Sequence, residues 1–147
     1  MALFLFTEAM LKGDPIDVFN DGKMVRDFTF IDDIVEGVMR VLDKPETPDV
    51  KFNALRPNPA TSNAPYRVFN MGNGNPTPLM DYIGALELAF GVTAKKNFMP
   101  MQPGDMPATS ADTSELGKWV GFQPDTQVAV GVQKFAEWYL SHYAKKN

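Results

Sequence analysis

Arg26 is the first residue of this chain whose type and position could do chemistry. It opens residues 26–33, RDFTFIDD, where a predicted strand runs into a predicted helix. A guanidinium at such a junction could donate two parallel hydrogen bonds to phosphate oxygens. The alternative is a surface arginine paired with Asp27 or Asp33. Asp32 and Asp33 are adjacent and project in different directions from a helix, so they fit helix capping better than acid–base catalysis.

Two loops carry further candidate groups. Residues 72–76, GNGNP, lie between a predicted strand and a predicted helix, as a phosphate-binding loop would. They lack the third glycine of a dinucleotide fingerprint and Pro76 interrupts them, so the sequence favours a tight turn. Residues 100–105, PMQPGD, form a polar loop framed by prolines, in which Gln102 and Asp105 could hydrogen-bond ligand hydroxyls.

Composition excludes several classes of function. The chain has no cysteine and one histidine, His142, so a transition-metal site or a Cys–His nucleophile pair is excluded. A net charge of −4 argues against nucleic-acid binding by broad electrostatic attraction, but leaves room for a small phosphorylated ligand. The apolar start, residues 1–6, is too short for a secretory signal, and no stretch reaches the roughly 20 apolar residues of a membrane span. We therefore expect a cytoplasmic protein.

The elements that would position these residues follow from periodicity and turn signals. The 147 residues suffice for one domain with its own core. Helices are predicted over 2–12, 32–43, 77–90, 112–121 and 126–143, and strands over 16–19, 26–30, 66–71 and 96–101. Their alternation indicates an α/β or α+β protein.

Helix starts and one long loop complete this interpretation. Asp32 or Asp33 is predicted to cap the second helix, and Thr77 the third with Pro78 in its first turn. Asp112 and Glu115 resemble a capping box, and Thr126 is predicted to cap the last helix. Residues 44–65 contain five prolines without periodicity, so they are predicted to form a mobile or functional loop.

Taken in order, these segments resemble the C-terminal part of UDP-glucuronate 4-epimerases. These enzymes belong to the NAD-dependent epimerase/dehydratase family of extended short-chain dehydrogenases/reductases. The resemblance is carried by residues 4–34, with GDPIDVFN at 13–20 and RDFTFIDD at 26–33, then by 66–72, 100–105, SADT at 110–113 and GFQP at 121–124. It implies an α/β fold: the truncated, C-terminal substrate-binding part of a Rossmann-type enzyme, with mixed short strands and about five helices.

The resemblance also implies a set of substrate-binding residues. They are Asp17, Val18, Phe19, Arg26, Gln102 and Asp105. The three strand residues would lie against the uracil ring through backbone groups, and Arg26 would hold the pyrophosphate. Gln102 and Asp105 would stand near the ribose and phosphates; related galactose epimerases have an arginine in place of Gln102. Residues 71–75 would end a strand of the dinucleotide-binding sheet near the sugar.

Other parts of the family pattern are not found. The sequence has no glycine-rich NAD loop, and no tyrosine is followed four residues later by lysine. The expectation is therefore that 1–147 is a nucleotide-sugar-binding portion without the NAD-binding Rossmann portion, and with no catalytic, cofactor-binding or metal-binding residue of its own. NAD would serve the intact enzyme and would not bind this chain alone.

The function implied is C4 inversion of UDP-glucuronate to UDP-galacturonate, with this chain binding the UDP moiety and inactive alone. Alternatives are a part of a sugar-nucleotide dehydratase or decarboxylase, or a non-catalytic fragment that binds nucleotide or a partner chain. The expected partners are a UDP-sugar and either an upstream Rossmann half or further copies of the chain, without nucleic acid or membrane. Residues 2–12 and 66–71 would expose an apolar patch that promotes self-association.

Overall fold

Five α-helices and four short strands make up the computed structural model, which describes residues 2–143. The helices are α1 Ala2–Lys12, α2 Ile31–Asp43, α3 Leu79–Phe90, α4 Ser114–Val120 and α5 Val128–Tyr143. The strands are β1 Pro15–Phe19, β2 Val25–Arg26, β3 Thr77–Pro78 and β4 Lys95–Met99. This is a mixed α/β protein, as the sequence predicts.

The strands form two small sheets. β1 pairs with β4 in parallel, with Val18 opposite Phe98, and β2 pairs with β3 in antiparallel fashion, with Arg26 opposite Thr77. A short turn of 3-10 helix, Asn20–Gly22, follows β1 and leads towards β2. The chain divides into two compact units, described separately below.

The first unit comprises Met1–Phe28, Asn75–Ser110 and Thr126–Asn147, and its core is built on β1 and α3. Side chains alternate along a strand, so Ile16 and Val18 turn inward while Asp17 between them is exposed. They pack in one cluster with Ile83 and Leu86 of α3, both fully buried. The helix predicted over 77–90 is therefore present, and it turns its apolar side towards this core.

The second unit comprises Thr29–Gly74 and Ala111–Asp125, and contains α2 and α4. The buried positions of α2 are Asp33 and Gly37, and the sulfur of Met71 lies where a side chain on Gly37 would be. The most apolar face of α2 is exposed instead. We call this face the α2 seam; it consists of Ile31, Val35, Val38 and Leu42, whose exposed fractions range from 46% to 67%.

Two predicted strands are wrong in extent or in kind. The strand predicted over 26–30 is limited to β2, because only Val25 and Arg26 find partners in β3. Residues 66–71 form no strand in the described structure, where their sole pairing is an isolated bridge between Arg67 and Thr61. A strand requires a neighbour to satisfy its backbone groups, and these residues lack one here.

Several predicted helix caps are also wrong. The N-cap of α2 is Phe30, and Asp32 and Asp33 lie inside its first turn. Thr77 and Pro78 belong to β3, so α3 begins at Leu79, whose N–H donates to the Met24 carbonyl at 2.8 Å.

The capping box predicted for α4 is absent as well. Its N-cap is Thr113, which makes no side-chain capping hydrogen bond, and the Asp112 carboxylate instead accepts a hydrogen bond of 3.0 Å from the Ser114 N–H.

Residues 44–65 contain no helix or strand, as predicted, but they are anchored where they leave and rejoin the elements of their unit. Arg67 pairs with Glu46 at 3.0 Å, and its guanidinium lies 4.6 Å from the Trp119 ring centroid. The Lys44 Nζ lies 4.8 Å from the centroid of the same ring. The Lys44 carbonyl accepts a hydrogen bond of 3.2 Å from the indole N–H. Mobility of the intervening stretch stays a prediction.

Candidate functional site

The backbone around Arg26 is fixed from two sides. On one side Arg26 pairs with Thr77 of β3. On the other, the Val25 N–H donates to the Pro107 carbonyl at 2.9 Å, and the Val25 carbonyl accepts from the Thr109 N–H at 3.2 Å. β2 is therefore hydrogen-bonded on both sides, to β3 and through an isolated bridge to the residues that follow the 100–105 loop.

The Arg26 side chain is held by two hydrogen bonds. Its Nη2 donates to Asp105 Oδ1 at 3.0 Å and its Nη1 donates to the Val25 carbonyl at 3.0 Å. The guanidinium side chain is 26% exposed, so solvent and ligands still reach it. The alternative pairing with a carboxylate close in sequence is wrong, because the partner is 79 residues away.

The 100–105 loop turns so that its acidic end reaches Arg26. The Asp105 N–H donates to the Gln102 carbonyl at 3.2 Å, and Gly104 between them has a φ of +84°, which favours glycine. Asp105 Oδ1 also accepts from the Met106 N–H at 2.8 Å. Three of the predicted site residues are thus brought together: Arg26 and Asp105 by their side chains, and Gln102 through its backbone.

The β1 residues occupy different environments. Val18 is fully buried, so only its backbone could meet a ligand. Asp17 is exposed and accepts a hydrogen bond of 2.8 Å from the Asn97 side chain, its register partner on β4, while Phe19 is half-buried. No hydrogen bond or ion pair in residues 2–143 joins these three residues to Arg26 or Asp105.

The turn that links β1 to β2 has an unusual backbone, because Asn20 and Asp21 both have positive φ, 53° and 49°. An Asn-Asp-Gly run is the signal for such a turn, since these residues tolerate the left-handed region best. The Asn97 amide on Asp17 was not foreseen, and it could be found only by knowing the β1–β4 register.

The phenol of Tyr82, in the same unit as Arg26, is held in its neutral form. Burial raises the pKa of the Tyr82 phenol far above its usual range, and its ring stacks on Phe28 with centroids 4.0 Å apart. Tyr82 therefore stays protonated and neutral at physiological pH. Within the described residues no cluster of acidic or histidine side chains could hold a metal ion. The partly exposed guanidinium of Arg26 is the group in this arrangement whose chemistry suits an anion.

Among residues 2–143, no helix combines the length and the apolar character needed to cross a bilayer.

The chain is similar to known proteins along nearly its whole length. A model of the NAD-dependent epimerase/dehydratase family matches residues 1–54. The CapI protein of Staphylococcus aureus is 46% identical over 99% of this chain, which covers 43% of that protein. UDP-glucuronate 4-epimerase 4 of Arabidopsis thaliana is 41% identical over 98% of this chain, which covers 33% of that protein. Residues 1–54 are therefore similar to the NAD-dependent epimerase/dehydratase family, and the chain along nearly its whole length is similar to part of a UDP-glucuronate 4-epimerase.

A solved structure shows the same similarity. UDP-glucuronic acid 4-epimerase from Bacillus cereus, in complex with UDP-glucuronic acid and NAD, superimposes with a TM-score of 0.76 and 28% identity. The match takes in 97% of this chain and 40% of that enzyme. The predicted Rossmann-type family fold is confirmed, and the chain spans less than half the length of the family members that it matches.

Proposed function

We propose that this chain binds the UDP moiety of a nucleotide sugar, as the substrate-binding portion of an epimerase that inverts C4 of UDP-glucuronate to give UDP-galacturonate. The observation that carries the proposal is the Arg26 guanidinium, fixed by Asp105 and by the Val25 carbonyl yet partly exposed. The identity of 41% to a UDP-glucuronate 4-epimerase supports the choice of sugar.

The chemistry of Arg26 suits a diphosphate. Of its five N–H groups, two make the hydrogen bonds described within residues 2–143, which leaves three for a ligand. Hydrogen bonds between ionised partners are roughly twice as strong as neutral ones, and the planar guanidinium can make two in parallel to phosphate.

The uracil would lie along β1, as the resemblance implies. In the described residues β1 pairs with a strand on one side only, with β4. Along a strand, successive residues point their backbone groups to opposite edges, so the N–H and C=O groups of either Val18 or of Asp17 and Phe19 lie at the other edge, where they would recognise the polar edge of the base. Val18 could contribute in no other way, because its side chain is fully buried.

The residues present do not fit NAD. A dinucleotide pyrophosphate needs glycines with open space beside them at the start of a helix. The candidate loop, residues 72–76, lacks the third glycine of that motif and is followed by β3, not directly by a helix. We therefore propose that this chain alone does not bind NAD, which would serve the intact enzyme.

The role left to this portion is anchoring. Binding energy at a group that does not react can orient the group that does, and can keep an intermediate from leaving. Fixing the diphosphate at Arg26 while the sugar ring turns would orient the sugar and would keep the intermediate from leaving.

A calorimetric titration with UDP tests the proposal. Arg26→Ala should weaken UDP binding by about 10- to 100-fold, since hydrogen bonds to charged groups contribute about 1.5–3 kcal/mol. Arg56→Ala is the matched control, because it removes the same charge from an exposed position in the 44–65 stretch. Absence of UDP binding by the unmodified chain, or equal binding by both variants, would refute the nucleotide site.

The chain alone should not turn over substrate. Incubated with NAD and UDP-glucuronate, it should yield no UDP-galacturonate, because no tyrosine is followed by lysine at the family spacing and Tyr82 is buried and protonated. Chromatography of the reaction mixture measures this directly. Product formation that scales with the concentration of pure chain would show that a catalytic group has been overlooked.

The α2 seam supports a second property, association with additional polypeptide. A helix whose most apolar face is also its most exposed normally packs against another surface. The occupant that we propose is either a Rossmann-type portion or another copy of the chain.

A further inference from the structure

We propose that residues 49–56, within the 44–65 stretch, form a protein-binding tip whose occupant is an apolar groove along α3 of a second copy of this chain. These two surfaces are called the loop tip and the α3 groove. The inference goes beyond the nucleotide site and does not depend on it, so either can fail without the other.

The loop tip presents apolar side chains to solvent beside positive charges. Val50 is 94% exposed and Leu55 is 93% exposed, so almost nothing in the chain covers them. Lys51 follows the first and Arg56 follows the second, and both are exposed. Aliphatic side chains next to cations suit a partner that offers an apolar surface with a carboxylate beside it.

The backbone of the loop tip is fixed by its own hydrogen bonds. Residues 49–52 and 53–56 form consecutive turns, each closed by a hydrogen bond of 3.1 Å from its last N–H to its first carbonyl. In each turn the first side chain, that of Asp49 or Asn53, accepts a hydrogen bond of 2.9 Å from the N–H two residues further on. Because this order exists before a partner arrives, binding does not have to supply it.

The two ends of the long loop are held by one tryptophan. The Arg67 guanidinium lies 4.6 Å and the Lys44 Nζ 4.8 Å from the centroid of the Trp119 ring, where the face of the ring attracts cations. Arg67 also pairs with Glu46, and these two side chains are only 20% and 13% exposed. The loop tip therefore stands on a fixed base, which Trp119 supports from outside the proposed contact.

The α3 groove offers a complementary surface. It is open, has a volume of about 650 Å³, and its apolar lining includes Ala85, Leu88, Val92 and Ala129. Leu88 is 87% exposed. Two carboxylates also line the groove: Glu87 is already paired with Lys96, whereas Asp81 is exposed. A cation of the loop tip would find its partner in Asp81.

Charge favours a second copy of the chain as the occupant. The loop tip carries two cations against one carboxylate, whereas the whole chain has a net charge of −4. Another copy is therefore acidic outside its own tip. An anionic lipid surface fits less well, because segments that bind one typically carry about four to eight cations and an acidic chain would be repelled.

The contact joins two different surfaces, so it does not close on itself. A copy that is bound through its loop tip still has an unoccupied groove, and assemblies should grow beyond dimers as the protein concentration rises. A loop tip in a groove is a small interface, so this association should be weak. A symmetric contact of the α2 seam with itself would instead stop at two copies.

Mixing two variants tests the proposal, in a Val35→Lys background that weakens the α2 seam contact. Leu55→Asp changes the loop tip and Leu88→Asp changes the α3 groove, and each should weaken association by about tenfold or more. Mixed in equal amounts, the two should form dimers and nothing larger, because only one intact tip can meet one intact groove. Sedimentation velocity measures the sizes. Leu140→Asp, at a partly exposed position of α5, is the control and should assemble like its parent.

Three outcomes of this experiment overturn the proposal. They are a Val35→Lys parent that stays monomeric at every concentration, variants that assemble like that parent, and a mixture that stays monomeric. Flotation of the parent with vesicles of phosphatidylglycerol and phosphatidylcholine, lost in Leu55→Asp, would show that the tip binds lipid and would overturn it too.

Trp119→Leu gives a readout that acts only through the loop. It should weaken association by about threefold or more and should speed cleavage by trypsin after Lys51 and Arg56, since the loop tip loses its base. Faster cleavage with unchanged association would show that the order of the loop tip does not serve binding. Circular dichroism checks that each variant is folded.

Discussion

At the scale of single residues, the turn between β1 and β2 is the most constrained part of the candidate site. Asn20, Asp21 and Gly22 all have positive φ, which is costly for residues with a Cβ. Gly22 is also the closest packed of the three, since an added Cβ would lie 2.9 Å from the Met80 sulfur and 3.3 Å from the Phe98 ring. This turn leads into the strand that carries Arg26.

Gly22→Ala should therefore be strongly destabilising. The left-handed conformation and the contacts with Met80 and Phe98 together should lower the free energy of unfolding by about 2–3 kcal/mol, measured by urea denaturation. Gly91→Ala is the matched control, because Gly91 has a φ of 65° with nothing within 4 Å of an added Cβ. It should lose only about 1 kcal/mol. Equal losses for the two variants would show that the packing at Gly22 relaxes without cost.

The site residues illustrate what sequence can and cannot predict at this scale. Arg26 was identified from its chemistry and from its place before a helix, both local features. Asp105 was a candidate as well, but its pairing with Arg26 was not predicted, because nothing local in either segment encodes a contact over 79 residues. The Asn97 contact on Asp17 was missed for the same reason, since it depends on strand register.

At the scale of elements, helices were predicted better than strands. The apolar period of α3 and the left-handed glycine that ends it are both encoded within about a dozen residues, and the helix predicted over 77–90 is found at Leu79–Phe90. Strand 66–71 had the right composition but found no partner, because pairing is decided by the fold and not by the segment. The predicted cap of α3 is wrong because a hydrogen bond to a distant residue replaces the local one. The Leu79 N–H donates to the Met24 carbonyl, not to a capping side chain.

α3 and β4 are linked by a carboxylate whose ionisation should be measurable in stability. The Glu87 carboxylate accepts from Lys96 Nζ at 2.5 Å and from the Ala94 N–H at 2.9 Å. The hydrogen bond from Lys96, assisted by that from Ala94, lowers the pKa of Glu87 below its ordinary value of 4.5. A lowered folded-state pKa stabilises the fold above the unfolded-state pKa, and that contribution is lost as the pH falls through the folded-state value.

Glu87→Gln should accordingly cost about 0.5–1.5 kcal/mol of unfolding free energy at neutral pH. The difference from the unmodified chain should shrink as the pH is lowered below 4.5, which denaturant titrations at several pH values would measure. Glu36→Gln, which breaks the exposed pair with Arg40, should cost less at neutral pH. A Glu87→Gln deficit that does not change with pH would show that the carboxylate acts through shape and not through charge.

At the scale of the whole molecule, the α2 seam bears on assembly. Ile31, Val35, Val38 and Leu42 are spaced by four, three and four residues, so they form one straight stripe about 17 Å long. The Glu36–Arg40 ion pair lies on another face of the same helix. The sequence predicts an amphipathic helix here, but it could not predict that the apolar side would be the exposed one, because that depends on which face the rest of the unit covers.

The chain should self-associate through this seam when purified. Val35→Lys should weaken association by about tenfold or more, since burying a valine side chain contributes about 1.5–3 kcal/mol. Sedimentation velocity at rising protein concentration would measure this. Asp43→Asn changes the net charge by the same amount at an exposed position of α2 outside the seam, so it should associate like the unmodified chain. If the unmodified chain stays monomeric at high concentration, the seam does not drive self-association. If Val35→Lys associates as strongly as the unmodified chain, the contact lies elsewhere on the molecule.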